Sequence, residues 1–301
     1  MRLEAVTAVV LNWRTPELTA RAVRALEGDG LPPERVVVVD DASGDESAER
    51  LAAELPRARL VPLEENVGFA RANNRGAAEL PGEAYLFVNS DAFVHAPGSL
   101  ERLAAAVGGD RVGIAVPRLL NEDLTLQPSV VPLSTPLPEL VRASGLSRLV
   151  PNRLQPSLGT HWDHGESRRI QAAVGPVLLV AAAAWRAFGG FDERSFMYAE
   201  DLDLFRRAAA LGWRARFVAD AEFVHFGGAS AGTRWSDPER AERVARAEAA
   251  GIRGHLGPLR ARVTLGLMAA GVGARALVHA ARGAHDAAAV QRAWFRGYTS
   301  R

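Results

Sequence analysis

The stretch Val6-Thr7-Ala8-Val9-Val10-Leu11-Asn12 decides the class of fold. Its first six residues are apolar or β-branched, carry no charge, and lead to a polar asparagine. An unbroken run of this kind is typical of a β-strand that is buried on both faces. Pro16 then begins an amphipathic pattern, which predicts a helix up to Leu26. A buried strand followed directly by a helix indicates an α/β protein.

The same strand–helix unit recurs three times before residue 110. The predicted strand and helix of each unit cover residues 36–39 and 46–55, 60–63 and 68–80, and 85–88 and 99–107. Strands that alternate with helices form mostly parallel sheets with right-handed crossovers. The sequence therefore predicts a Rossmann-like, mostly parallel central sheet flanked by helices.

Polar or acidic residues follow each of these predicted strands. They are Asn12, Asp40-Asp41, Asn66 and Asn89-Ser90-Asp91. In open α/β sheets, ligands bind beyond the carboxyl ends of the strands. These residues therefore predict a ligand site at one rim of the sheet.

Each acidic or basic candidate also has a local explanation when it is considered alone. Asp91 is compatible with a Mg²⁺ or Mn²⁺ ligand and equally with an Asx-type turn. Glu200, Asp201 and Asp203 begin a predicted helix, where acids stabilise the positive end of the helix dipole. His225 follows the short predicted strands 215–219 and 222–224, and a single histidine is more often packed than a ligand.

The composition excludes several classes of protein. The chain has 301 residues, 48% of them hydrophobic, which is enough for a large core and outside the disordered range. Its net charge is +1 and all 36 basic residues are arginine, so nothing indicates a nucleic-acid partner. The chain contains no cysteine, which excludes thiolate zinc sites and cysteine nucleophiles and suits a cytoplasmic protein.

The later parts of the chain are less regular. Residues 121–170 are rich in Pro, Ser and Arg, which indicates an excursion from the core, and an apolar helix is predicted up to Phe188. Residues 263–281 are apolar but include Arg275 and His279, which favours a packed helix over a membrane span. Residues 253–301 carry eight arginines against one acid, so contact with an anionic membrane surface stays open.

Seven motifs, taken together and in this order, resemble those of family 2 glycosyltransferases. They are TAVVLN at 7–12, VDDASGD at 39–45, NVGFARANNRG at 66–76, NSD at 89–91, GGFDE at 189–193, YAEDLDL at 198–204 and HFGGAS at 225–230. The resemblance extends over residues 5–235 and is greatest to the rhamnosyltransferase-like branch. It implies a GT-A fold, with a catalytic domain over 1–235 that includes 121–170 on the acceptor side. A C-terminal helical extension over 236–301 follows.

The resemblance also implies a role for each site residue. The residues that would hold the nucleotide are Asn12, Asp40, Asp41, Asn66, Arg71, Asn73 and Asn89, with Arg71 near the diphosphate. Asp91 and His225 would bind a divalent cation, Mn²⁺ or Mg²⁺. Asp201 would be the general base towards the acceptor hydroxyl, and Glu200 would orient it or the acceptor. A metal and an arginine stabilise the charge that develops on a leaving diphosphate.

The function that follows is inverting transfer of a sugar from a nucleoside-diphosphate sugar to a saccharide or lipid-linked acceptor, in the synthesis of cell-surface polysaccharide. The branch resemblance implies dTDP-rhamnose as the first donor to test. In the family, a basic pair often precedes the GGFD segment. This chain has no such pair after Gly175-Pro176, which leaves the specificity for sugar and acceptor open. An inactive nucleotide-sugar-binding scaffold and a sugar nucleotidyltransferase remain as alternative functions. A homodimer and a peripheral membrane contact through residues 251–301 also stay open.

Overall fold

β1 (Val6–Asn12) is almost completely buried, because α1 (Pro16–Gly28) and α3 (Phe69–Glu79) pack against it. The computed structural model describes residues 1–159, 161–194, 198–227 and 236–300. β1 pairs in parallel with β2 (Val36–Asp40) and with β4 (Ala84–Asn89). β3 (Arg59–Pro62) continues the parallel part beyond β2, and α2 (Ser47–Glu54) connects these two strands. The four strand–helix units predicted from the sequence are confirmed.

The second half of the sheet is mixed. The strand order is β3-β2-β1-β4-β11-β6-β12-β5, and two short strands, β7 and β9, pair with β6 and β12. β11 lies antiparallel between β4 and β6, whereas β12 runs parallel to β6. The α/β class and the flanked central sheet are confirmed, with antiparallel strands added to the parallel part. The strands of this half are β5 (Ala92–Val94), β6 (Val112–Leu120), β7 (Leu126–Gln127), β9 (Arg168–Ile170), β11 (Val177–Ala181) and β12 (Arg214–His225).

Residues Val177–Ala181 correct one expectation. The apolar run before Phe188 was assigned entirely to a helix, but its first part is β11 and only Ala182–Phe188 form α7. All five residues of β11 are buried between β4 and β6. A short apolar run is compatible with either a buried strand or a buried helix, and the position in the sheet decided between them.

The carboxyl ends of the strands carry the site. β1, β2 and β4 end side by side at Asn12, Asp40 and Asn89, in registers that pair Asn12 with Asp40 and Leu11 with Asn89. The end of β12 pairs with β5, which begins directly after Asp91. α4 (Ser99–Ala106) follows β5 and packs on β12. The C-terminal end of β12 therefore lies beside the residues that follow β4.

The three helices near the C-terminus form a separate apolar cluster, which we call the C-terminal bundle. It consists of α9 (Asp237–His255), α10 (Pro258–Ala281) and α11 (His285–Thr299), which pack on one another around Ile252, Leu265 and Tyr298. β8 (Val130–Val131) pairs with β10 (Ala172–Ala173). Between β8 and β9 the chain forms α5 (Pro136–Ala143) and α6 (Gln155–Leu158). α5 packs on α10.

α8 (Glu200–Ala210) joins this bundle to the rest of the protein. Asp203 accepts a hydrogen bond from His255 Nε2 at 2.5 Å and pairs with Arg207 at 2.6 Å. Within the described ranges, α10 alone is long and apolar enough to cross a membrane, and 39% of its apolar window is buried in the protein. Core helices of soluble proteins meet the same criterion.

Candidate functional site

Asn12 lies in a buried hydrogen-bond cluster at the ends of β1 and β2. Its Nδ2 donates to Asp40 Oδ1 at 2.6 Å and to Ser43 Oγ at 3.2 Å, and its Oδ1 accepts from Thr19 Oγ1 at 2.7 Å. Asp40 also accepts from the Ser43 hydroxyl at 2.5 Å and from the Ser43 N–H at 3.2 Å. The structure thus brings Asn12 and Asp40 together, and the hydrogen bonds of both side chains stabilise the rim of the sheet. Their contact with a nucleoside stays a prediction.

Asp41 holds the start of α3. Its two carboxylate oxygens accept the N–H groups of Val67 and Gly68 at 2.8 and 3.0 Å, and Asn66 Nδ2 donates to the Asp41 carbonyl at 2.9 Å. Gly68 has a φ of 83°, a left-handed conformation that glycine adopts without a steric cost. Asp41 therefore fixes the loop that carries Asn66 against the end of β2.

The remaining residues of the predicted nucleotide pocket differ in their exposure. Asn73 is buried inside α3, where its Nδ2 donates to the Phe69 carbonyl at 2.9 Å. Arg71 is half-exposed on the same helix and pairs with Glu193 at 3.6 Å. Asn89 is half-buried at the end of β4. Arg71 is therefore better placed than Asn73 to meet a charged ligand.

Asp91 and His225 lie next to each other. His225 Nε2 is 3.3 Å from Asp91 Oδ1, and the N–H of Phe226 donates to the Asp91 carbonyl at 3.0 Å. The two residues are 134 positions apart in the chain, and the pairing of β12 with β5 brings them together. Only small parts of the two side chains are exposed, 7% for Asp91 and 14% for His225.

Gln127 determines which nitrogen of His225 faces Asp91. The Gln127 Nε2 donates to the His225 carbonyl at 3.1 Å and to Asn121 Oδ1 at 3.0 Å. Its Oε1 is therefore the atom that lies 2.7 Å from His225 Nδ1, and an amide oxygen only accepts. Nδ1 must carry the proton, and in the neutral ring the lone pair of Nε2 points towards Asp91.

This arrangement fits a divalent cation. A lone pair and a carboxylate oxygen repel each other unless a proton or a cation lies between them, and histidine ligands are usually oriented by a hydrogen bond to their other nitrogen. No group of three or more His, Asp or Glu residues within the described ranges could hold a metal ion. Asp91 and His225 would thus need further oxygen ligands from a diphosphate and water, which both Mg²⁺ and Mn²⁺ accept.

Glu200 and Asp201 begin α8 as a second pair of neighbouring acids. Asp201 accepts hydrogen bonds from the N–H of Gly175 at 2.9 Å and from the N–H of Leu202 at 2.7 Å. Glu200 is 8% exposed, and its Oε2 has no hydrogen-bond partner within the described residues. The two carboxyl groups therefore lie in different surroundings, although they are adjacent in the chain.

These surroundings affect the pKa values of the two acids differently. Burial and, to a smaller extent, the neighbouring Asp201 raise the pKa of Glu200 to about 8. Burial also raises the pKa of Asp201, but the N–H groups of Leu202 and Gly175 oppose this effect. Hydrogen bonds to a carboxylate favour its charged form. At neutral pH Asp201 is thus the better candidate for the ionised base, and Glu200 for the protonated partner.

Two residues in this region were assigned no role in the sequence analysis. Gln127 lies 98 residues from His225, a spacing that gives no local signal. Arg206 lies buried on α8, and neither of its Nη atoms has a hydrogen-bond partner among the described residues. The last three residues of the motif at 225–230, Gly228, Ala229 and Ser230, lie outside the described residues.

Comparisons with known proteins give the family. Residues 7–132 match the model of the family described as Glycosyl transferase family 2. Over these residues the chain is a family 2 glycosyltransferase-like protein. The prediction made from the seven motifs is thereby confirmed, including the likeness to the rhamnosyltransferase-like branch.

One relative is an N-acetylglucosaminyl-diphospho-decaprenol L-rhamnosyltransferase of Mycobacterium tuberculosis, which is 31% identical over 217 residues. The match covers 64% of this chain and 66% of the relative, so the chain spans just under two thirds of that protein. An O-antigen biosynthesis protein of Myxococcus xanthus is 27% identical over 176 residues, which are 57% of this chain and 13% of that protein.

Solved structures of low sequence identity share the fold. A mannosyltransferase from Pyrobaculum calidifontis in complex with GDP-Man and Mn²⁺ has a TM-score of 0.59 at 20% identity, covering 98% of this chain and 84% of the other. A structure of GalNAc-T7 with UDP, GalNAc and Mn²⁺ has a TM-score of 0.57 at 15% identity, covering 82% and 48%. These similarities confirm the GT-A fold.

Proposed function

We propose that the protein is an inverting glycosyltransferase that moves a sugar from a nucleoside-diphosphate sugar to an acceptor hydroxyl in the synthesis of a cell-surface polysaccharide. The observation that carries the proposal is the pair Asp91–His225, with its 3.3 Å separation at the rim of the sheet. Family membership alone would also suit an inactive scaffold. A scaffold, however, has no need of a histidine whose tautomer is set to face a carboxylate.

Asp91 and His225 would hold Mn²⁺ or Mg²⁺, with Gln127 orienting the ring. When bound, the cation neutralises negative charge on the diphosphate leaving group. Asn12, Asp40, Asp41, Asn66, Asn73 and Asn89 would form or support the nucleoside side of the pocket. Arg71 would lie near the diphosphate, where its half-exposed guanidinium could exchange Glu193 for phosphate oxygens.

Asp201 would accept the proton of the attacking hydroxyl. Its two backbone N–H donors favour its ionised form, and a base must be unprotonated before it can act. Glu200, protonated at neutral pH, could donate a hydrogen bond to Asp201 or to the acceptor. A raised pKa also places the base closer to the working pH, where proton transfer is most efficient.

The relatives suggest a donor and an acceptor. The M. tuberculosis protein is named for L-rhamnose transfer to a lipid diphosphate. We therefore propose dTDP-rhamnose as the first donor to test, UDP- and GDP-sugars as the next, and a saccharide or lipid-linked diphosphate as the acceptor. We further propose that the protein works in the cytoplasm at the inner face of the membrane, touching it through residues 251–301. Residues 121–170 would border the acceptor.

Metal-dependent turnover of a panel of nucleotide sugars tests the proposal. Thermal shifts with Mn²⁺ should identify the donor, because a ligand that binds only the folded state raises its stability. Asp91→Asn should abolish the metal-dependent shift. Asp201→Asn should keep the shift but lower turnover by about 10²- to 10⁴-fold, the usual contribution of a general base.

Asp203→Asn is the matched control for Asp201→Asn. It removes a carboxylate from the same helix, but Asp203 pairs with Arg207 and His255. This variant should lose stability and keep turnover per folded molecule. Unchanged turnover in both Asp91→Asn and Asp201→Asn would refute the assignment of these residues. Donor binding by the unsubstituted chain without any turnover would favour the scaffold. Formation of a nucleotide sugar from a sugar phosphate would instead indicate a nucleotidyltransferase.

A further inference from the structure

A cavity of about 360 Å³ lies between α5 and the C-terminal bundle. None of its lining residues is among those assigned above to the donor, the cation or the base. α5 forms one wall, and α10 and α11 form the others. The residues that matter for its chemistry are Glu139, Arg142, Arg275, Gln291, Trp294 and Tyr298.

Two arginines and one acid line the cavity, and a second acid, Glu248, lies behind it, where it accepts a hydrogen bond from the Tyr298 hydroxyl at 2.9 Å. Arg142 pairs with the buried Glu139 at 2.5 Å, so these two charges cancel. The guanidinium of Arg275 donates to Gln291 Oε1 at 3.2 Å, and no carboxylate lies within ion-pair distance of it in the described parts of the chain. Burial lowers the pKa of Arg275, and the nearby Arg142 lowers it further. Among the lining residues, Arg275 is thus the cation that is not paired with an acid, and a guanidinium in a partly enclosed space favours an anion with several oxygens.

The surface beside this cavity is apolar. α10 exposes Leu259, Val263, Leu277 and Val278, and Leu277 is 74% exposed. α5 and the 3-10 turn after it expose a second set of large apolar side chains, Leu137, Leu140, Leu146 and Leu149. The helices that carry the two sets are in contact, because a Cβ built on Gly271 of α10 would lie 3.7 Å from Ala143 of α5. Exposed apolar surface of this kind marks an interaction site.

We propose that this cavity binds the phosphate head group of an anionic lipid while the apolar sides of α5 and α10 lie in the membrane interface. The charge of the segment supports a membrane over other partners, since residues 253–300 carry seven arginines against one acid. The opposite side of α10 packs Leu265, Met268 and Val272 into the C-terminal bundle. α10 therefore lies along the surface of the bilayer and does not cross it.

Co-sedimentation of the full chain with vesicles tests the proposal. The vesicles are phosphatidylcholine with and without phosphatidylglycerol, and the variants are Arg275→Gln and Arg262→Gln. Both substitutions remove one charge from α10, but Arg262 does not line the cavity. Arg262→Gln should weaken binding to the anionic vesicles by about fivefold, the effect of one diffuse charge. Arg275→Gln should weaken it by about tenfold or more, because hydrogen bonds to a charged group are lost as well.

Equal effects of the two variants, or no binding by the unsubstituted chain, would overturn the head-group site. Circular dichroism of Arg275→Gln verifies that it is folded, and Arg275→Lys should restore part of the binding. Inorganic pyrophosphate separates the two sources of phosphate. A thermal shift with pyrophosphate that Arg275→Gln removes, without vesicle binding, would mean a soluble ligand and overturn the membrane proposal.

A second copy of the chain is the other occupant that the test can reveal. A dimer in light scattering that Leu277→Asp converts to a monomer would mean that a protomer covers this surface, and would also overturn the proposal. Metal-dependent donor binding should be the same in Arg275→Gln as in the unsubstituted chain. Loss of metal-dependent donor binding in every variant would therefore contradict the proposed function and not the membrane site.

Discussion

Replacing Glu200 with glutamine should change how the stability of the protein depends on pH. Glu200 is buried beside Asp201, and its pKa is raised from 4.5 to about 8. Between these two values the folded protein retains a proton that the unfolded chain has released. Stability falls with pH wherever the folded state binds more protons than the unfolded state. The free energy of unfolding should therefore fall as the pH rises from about 4.5 to about 8, and level off above that.

The magnitude follows from the size of the pKa shift. A difference of about 3.5 pKa units, at about 1.4 kcal/mol per unit, sets an upper limit of about 5 kcal/mol for this group. The steepest slope that one proton can give is about 1.4 kcal/mol per pH unit. Glutamine has a similar shape and does not titrate.

Urea unfolding, followed by circular dichroism in EDTA over about pH 5 to pH 8.5, measures this effect. Relative to the unsubstituted chain, Glu200→Gln should gain stability steadily across this range. Glu65→Gln, at an exposed position, is the matched control and should shift the curve without changing its slope. Parallel curves for Glu200→Gln and the unsubstituted chain would refute the reasoning, because they would mean that Glu200 is ionised in the folded protein.

Three further predictions concern the cation and the packing. Gln127→Leu removes the hydrogen bond that orients His225 and should weaken Mn²⁺-dependent donor binding by about 10- to 100-fold in calorimetry, with donor binding in EDTA unchanged. Gly297→Ala places a Cβ 2.3 Å from that of Ala245, so it should separate α9 from α11 and lower the stability by about 1–3 kcal/mol in urea unfolding. Gly266→Ala meets no atom within 4 Å and should raise the stability by about 0.5–1 kcal/mol in the same assay.

The sequence predicted the parallel half of the sheet well, because strand and helix periods differ clearly there. It failed at Val177–Ala181, where β11 lies between β4 and β6. Five apolar residues followed by three alanines have no period that separates strand from helix. What makes the first five a strand is hydrogen bonding to partners about 65 to 95 residues earlier in the chain. No local pattern contains that information.

The site could be predicted as a position more readily than as a set of contacts. Polar residues after successive strands predicted that these side chains gather at one rim, and the strand ends do lie side by side there, because parallel strands bring their carboxyl ends to one edge. The sequence could not show that Asp41 uses both carboxylate oxygens on the N–H groups of Val67 and Gly68. It also could not show that Gln127 orients His225, since a β7 strand of two residues has no periodicity.

The chemistry of adjacent acids depends more on the backbone than on the motif. Glu200 and Asp201 share a helix N-terminus, where the dipole favours both charges equally. What separates them is that Asp201 receives two N–H groups and the Oε2 of Glu200 receives none within the described residues. One of those donors is Gly175, at the turn that leads into β11. The misassigned strand and the proposed base are therefore linked, because the register of β11 against β4 positions an N–H group that favours the ionised form of Asp201. A substitution that shifts this register should raise the pKa of Asp201 without touching α8.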